Sequence, residues 1–132
     1  MLNPDEPSLY KRLGGHDVIS AFVEDLMPRM TGDPALAVYW KGKSNDSFRK
    51  EKQLLLEFLC MAFGGPSGYL GRDMKTSHAG LGITDDEWDV FAVHAAAALD
   101  KLGISGREKS EFLAAAVSLK EDIVEVPRPR EI

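Results

Sequence analysis

A chain of 132 residues supports one hydrophobic core and leaves no room for a second catalytic domain, so one globular domain over 1–132 is expected. Its 44% hydrophobic and 28% charged residues are those of an ordinary globule; the net charge of -5, with basic residues scattered apart from Arg49, Lys50 and Lys52, argues against a nucleic-acid or anionic-membrane partner. The start is polar, with Asp5 and Glu6, and the longest apolar runs, 54–63 and 90–99, are broken by Glu57 and His94 and are too short for a bilayer, so a cytoplasmic protein is expected.

After frayed residues 1–7, Leu9–Leu13 suits a short helix that Gly14-Gly15 would end. Val18, Ile19, Phe22, Val23, Leu26, Met27 and Met30 then recur at steps of three and four, the stripe of a longer helix that Pro28 should kink or shorten. Pro34–Trp40 reads as a brief helical piece, Lys41–Asp46 as a polar loop, and Ser47–Phe63 as a helix stopped by Gly64-Gly65-Pro66. The single cysteine, Cys60, falls inside that apolar helix, where a buried, inert thiol is expected. The segment 67–83 is glycine-rich and reads as irregular, although Tyr69 and Met74 make it more than a linker.

Thr84-Asp85-Asp86-Glu87 matches a capping box and should open a helix reaching Leu102. Trp88, Phe91, Ala95, Leu99 and Leu102 form one stripe of it and Val90, Val93 and Ala97 a second, which predicts burial on most sides. Ser105 to Glu108 is a second capping box, ahead of a last helix striped by Phe112, Ala116, Leu119 and Ile123. Pro127–Ile132 reads as a frayed tail. No segment alternates as a half-buried strand does, so the fold class is all-α.

Three histidines and one cysteine cannot assemble a four-ligand zinc site, and no nucleophile turn, phosphate loop or dinucleotide motif is present. His16 at a helix start reads as solvated, and His94 in an alanine-rich helix as a packed residue with one hydrogen bond. His78, in the irregular segment, is not singled out by periodicity.

Several pieces in one order do single it out. Ser8-Leu9-Tyr10-Lys11-Arg12-Leu13-Gly14-Gly15, then Phe58-Leu59 ahead of Gly64-Gly65-Pro66, then Met74-Lys75 three residues before His78, then Gly82-Ile83-Thr84 resemble the group I truncated haemoglobins over about residues 8–124. The resemblance implies a two-over-two helical sandwich around haem b, with His78 as the proximal iron ligand and Trp40, Phe48, Phe58, Leu59, Met74, Ile83 and Phe91 among the pocket residues. A neutral imidazole suits iron and leaves the opposite face open to a diatomic gas. Oxygen, carbon monoxide or nitric oxide would be the ligands, gas binding or nitric oxide detoxification the role, and a reductase a partner; the chain would be a monomer or weak homodimer. Nitric oxide dioxygenase or weak peroxidase-like activity is a further expectation, and a helical sensor or interaction module that kept the fold and lost haem is the alternative.

The distal side departs from the family. The tyrosine usual on the second helix corresponds to Met27, and the usual wedge phenylalanine to Trp40, preceded by Tyr39. The family's Lys-Gln pair sits two residues nearer the Gly-Gly-Pro stop than Lys52-Gln53 does here. A helical wheel groups Phe48, Leu55, Phe58, Leu59 and Ala62, with Glu51 and Lys52 at the border and Gln53 roughly opposite, so Leu55 is expected in the pocket and Gln53 outside. Tyr39 or Lys52 reaching in, Lys52 even as a second iron ligand, remain alternatives.

Overall fold

The computed structural model describes residues 6–69, 71 and 73–126. Helix α1 (Leu9–Leu13) starts at Ser8, whose hydroxyl accepts from the Lys11 N–H at 3.2 Å, and stops at Gly14 with φ 119°. A Cβ there would collide with the Val18 side chain, so glycine is required by both backbone and space. Helix α2 (His16–Thr31) buries Ile19, Phe22, Val23, Leu26, Met27 and Met30, the expected stripe. Of the kink or shortening expected at Pro28, the shortening does not occur: the proline is exposed, its carbonyl accepts from the Gly32 N–H at 3.0 Å, and the helix runs through Thr31.

A 3-10 turn at Ala37–Trp40 leads to α3 (Asn45–Ala62), which begins ahead of the expected Ser47 because the Ser44 hydroxyl caps it, accepting from the Ser47 N–H at 3.1 Å. Cys60 is buried there, and burial pushes its thiol up, which makes it a poor nucleophile. The segment expected to be irregular contains α4 (Met74–His78), capped by the Asp73 carboxylate accepting from the Thr76 N–H at 2.7 Å. Glycines on both sides hide this one turn of helix from periodicity.

Helix α5 (Asp85–Lys101) opens on the expected capping box, with both Thr84 and Glu87 bonds formed. Its second apolar set is not all inward, since Val93 is 68% exposed. Helix α6 (Gly106–Val117) lacks the second capping box: Ser105 makes no side-chain cap, and Glu108 instead accepts from Arg12 Nη1 at 3.3 Å. The last helix is also interrupted. The Ser118 hydroxyl donates to the Ala115 carbonyl at 2.5 Å, and the chain turns before resuming as α7 (Lys120–Ile123).

Helix α2 packs against α3 and α5, α5 also packs against α6, and α1 touches both α2 and α6, which gives two helix pairs, α2/α3 and α5/α6, sharing a core. Phe112 of α6 joins the pairs, with ring centroids 4.6 Å from Phe22 and 4.8 Å from Phe63. Helix α7 packs against α4. An isolated parallel bridge between Thr84 and Val126 is the only extended pairing among the described residues. Fraying was expected over 1–7 and 127–132. Residues 6 and 7 are instead held, Glu6 by Arg107 and the Pro7 carbonyl by Arg12 Nε at 3.1 Å, whereas 1–5 and 127–132 lie outside the described residues. Among the described residues no helix is long and apolar enough to cross a membrane.

Leu99 has 0% exposure and Val93 68%. Leu99→Ala should lower the unfolding free energy by about 2–5 kcal/mol in a urea titration, whereas Val93→Ala should change it by less than about 0.5 kcal/mol.

Candidate functional site

His78 ends α4, half-buried, with Nδ1 2.8 Å from the carbonyl of Met74 one turn earlier and 3.0 Å from the Ser77 hydroxyl. A carbonyl can only accept, so in the neutral ring Nδ1 carries the proton and the lone pair lies on Nε2. Nε2 has no protein partner among the described residues. An imidazole fixed through one nitrogen and free at the other is the arrangement a metal-ligating histidine needs. The other two histidines differ. His94 Nε2 lies 2.7 Å from Asp33 Oδ2, tying α5 to the turn after α2, and His16 is exposed beside Asp17. Both match the plain structural roles expected of them.

The expected wall residues fall into two sets. Trp40, Phe48, Leu55, Leu59 and Phe91 are only half-buried, each with one side on the core. Met74 and Ile83 are likewise half-buried, on either side of His78 in sequence. Phe58 and Met27 are buried, Phe58 edge-on to Tyr69 at 5.5 Å and Met27 within the α2 core stripe. On α3, Phe48, Lys52, Leu55 and Leu59 follow one helical stripe, while Gln53 is exposed and bonded to Glu57 at 3.3 Å. Leu55 is thus on the half-buried side of α3 and Gln53 on its exposed side. Ala62, grouped with the same face, is exposed at the helix end. An open depression of about 660 Å³ adjoins Phe48 at the start of this stripe, lined also by Trp40, Lys43 and neighbouring loop residues; His78 is not among its lining residues.

Polar groups near these walls are each held by a carboxylate. Trp40 Nε1 donates to Glu51 Oε2 at 2.9 Å, and Lys43 pairs with the same carboxylate. Lys52, 5.7 Å from the Phe48 ring centroid, directs its ammonium to Glu24 at 3.1 Å. Tyr39 donates to Glu87 Oε1 at 2.6 Å. Glu51, Glu24 and Glu87 were not singled out as site residues: charge pattern gives no sign of partners 11, 28 and 48 residues away. Among the histidines, only the His78 imidazole is thus left half-buried with one nitrogen held by backbone and the other without a carboxylate partner among the described residues, the chemistry of a metal-ligating ring.

The sequence matches the bacterial-like globin family over residues 8–125. It is 37% identical over 116 residues to a group 1 truncated hemoglobin of Mycolicibacterium paratuberculosis, spanning 88% of this chain and 83% of that protein. It is 31% identical over 117 residues to a group 1 truncated hemoglobin of Nostoc sp. strain MUN 8820, spanning 89% and 97%. The fold is similar to that of the 2/2 hemoglobin from Synechococcus sp. PCC 7002, solved in the cyanomet state with covalently attached heme, with a TM-score of 0.80, 26% identity, and coverage of 89% of this chain and 98% of that one.

Burial, with the Glu87 charge beside it, pushes Tyr39 up to about 12. Burial alone would raise Glu87, but the Tyr39 hydroxyl and the Thr84 donors outweigh it and hold the carboxyl below its ordinary 4.5. The folded state therefore favours the ionised Glu87, and this stabilisation is complete above pH 4.5 and lost as pH falls through the lowered value. An ultraviolet titration should show one of the three tyrosines ionising near 12, and in Glu87→Ala that transition should move toward 10.

Proposed function

Because the chain belongs to the bacterial-like globin family, among its group 1 truncated haemoglobins with their 2/2 all-α fold, and is thus haem-binding, we propose that it holds haem b with His78 as the protein ligand and binds diatomic gases reversibly. The observation that carries the reading is the His78 ring, whose Nδ1 is engaged by the Met74 carbonyl and whose Nε2 is free. Trp40, Phe48, Leu55, Leu59, Met74, Ile83 and Phe91 would line the porphyrin, since each is apolar and only partly covered by protein. When bound, the haem supplies iron with a position open to oxygen, carbon monoxide or nitric oxide.

The residues opposite His78 decide among those gases. Met27 and Leu55 have no hydrogen to donate, and the donors nearby, Trp40, Tyr39, Lys52 and Gln53, are each held by a carboxylate. Oxygen draws partial negative charge and gains from a donor, whereas carbon monoxide draws little, so an apolar distal side shifts the balance toward carbon monoxide. Nitric oxide turnover is the activity we infer for the site, with electrons from a separate reductase. The single buried thiol of Cys60 fits a reducing cytoplasm.

The purified protein supplied with haem should show a Soret band, and acidified butanone should extract the haem, as expected for haem b without a covalent bond. His78→Ala should lose stable haem or give a spectrum restored by free imidazole. A histidine-ligated spectrum unchanged in His78→Ala but lost in His94→Ala would sink the assignment. On the distal side, Met27→Tyr should slow oxygen dissociation by roughly ten-fold, the worth of one hydrogen bond of about 1.4 kcal/mol. Slow release in the unaltered protein, abolished by Gln53→Leu, would show that Gln53 and not Leu55 faces the gas.

A further inference from the structure

We propose that Glu125 is the positioning residue of the His78 segment: its carboxylate, carried by the chain beyond α7, clamps the turn that follows the histidine and so fixes the imidazole. The proposal rests on the reading of His78 as the haem ligand.

Helix α4 is five residues long, too short to be stable by its own hydrogen bonds, and after Ala79 the chain passes through Gly80-Leu81-Gly82 before reaching α5. Gly80 and Gly82 have φ of 82° and 69°, the left-handed region that glycine adopts without strain. That alternation turns backbone N–H groups to a common side, as in the amide concavities that hold anions elsewhere. Here the anion belongs to the protein. Gly80 N–H donates to Glu125 Oε2 at 3.0 Å, and Gly82 N–H donates to Glu125 Oε1 at 2.8 Å. Each oxygen takes one amide, so the carboxylate spans the turn. These amides, first Gly80 and then Gly82, hold Glu125 below the usual carboxylate range, as expected of an acceptor that is ionised in place.

The arm carrying Glu125 is itself anchored. The N–H groups of Glu125 and Val126 both donate to the Ile83 carbonyl, at 2.9 and 3.1 Å, and the Val126 carbonyl accepts from the Asp85 N–H at 3.2 Å. Lys120 Nζ pairs with Asp85 at 3.0 Å, and α7 packs against α4. The carboxylate thus ties the Gly80-Leu81-Gly82 turn between α4 and α5, whose one side chain, that of Leu81, is exposed and does little to stiffen it. With the turn fixed, the last turn of α4 keeps its geometry, and with it the Met74 carbonyl remains in reach of His78 Nδ1.

The test uses Glu125→Gln, which keeps the shape and removes the charge, and Glu125→Ala, which removes the acceptors. In haem-free protein, amide hydrogen exchange at Gly80 and Gly82 should quicken by roughly ten-fold in Glu125→Gln and further in Glu125→Ala, with amides of α2 and α5 unchanged as the control for folding. In the haem-loaded protein, transfer of haem from Glu125→Ala to excess apomyoglobin should quicken by roughly ten-fold, and the iron–imidazole stretching band in the resonance Raman spectrum should shift or broaden. Unchanged exchange at Gly80 and Gly82 would overturn the clamp. Faster exchange with haem transfer and the Raman band unchanged would overturn the positioning role. An unaltered protein that takes up no haem would overturn the ligand reading instead, and the exchange measurements, which need no haem, tell the two failures apart.

Discussion

The stripe Ile19, Phe22, Val23, Leu26, Met27 and Met30 makes α2 the surface on which α3 and α5 are both assembled, and the remaining apolar residues take their positions from how that surface is shared. Helix α3 commits Leu56 and Cys60 to the common core, and α5 commits Ala95, Ala98 and Leu99, two of them small enough to let helix backbones approach closely. Once those positions are fixed, helical spacing carries Phe48, Leu55 and Leu59 of α3 and Phe91 of α5 to the margin of the core, where protein covers only part of each. The partly covered margin is therefore a geometric product of the core: apolar surface left over when two helices share a third.

Electrostatics around that margin work by withdrawal. Glu51 takes the Trp40 indole, Glu87 the Tyr39 hydroxyl, Glu24 the Lys52 ammonium and Glu57 the Gln53 amide. Pairs of this kind near the surface add little to stability. Their larger effect is on which donors remain available, because a side chain bonded to a carboxylate cannot also give that hydrogen to another acceptor. Family membership gives the fold its haem-binding character, and under the proposed reading these carboxylates would leave the side opposite His78 apolar.

The sequence made legible whatever depends on near neighbours. The Thr84–Glu87 box, the α2 stripe and the orientation of Leu55 against Gln53 all follow from spacings of three or four residues, and all are found. What depends on distant partners was not legible. Glu108 sits at capping-box spacing from Ser105 but is drawn to Arg12, 96 residues away. Tyr39 was an alternative for the pocket and is bonded to Glu87, 48 residues on. Helix α4 escaped because glycines surround it, and besides its Asp73 cap the turn that follows it is bonded by Glu125, 43 to 45 residues on. His78 was located by resemblance; the Met74 carbonyl that orients it is a backbone group, which no side-chain pattern reveals.

The break at Ser118 has a consequence in time. By interrupting the last helix it lets α7 turn toward α4, so that Glu125 meets Gly80 across 45 residues of chain. During synthesis the N-terminal portion leaves the ribosome first, and contacts of high sequence separation close last. Helices α2, α3 and α5 can associate once residue 101 has emerged, but the turn beyond the histidine is tied only when residue 125 is free of the exit tunnel. Most of the core, all but the Phe112 contribution of α6, can thus close before the turn beyond His78 is tied to Glu125.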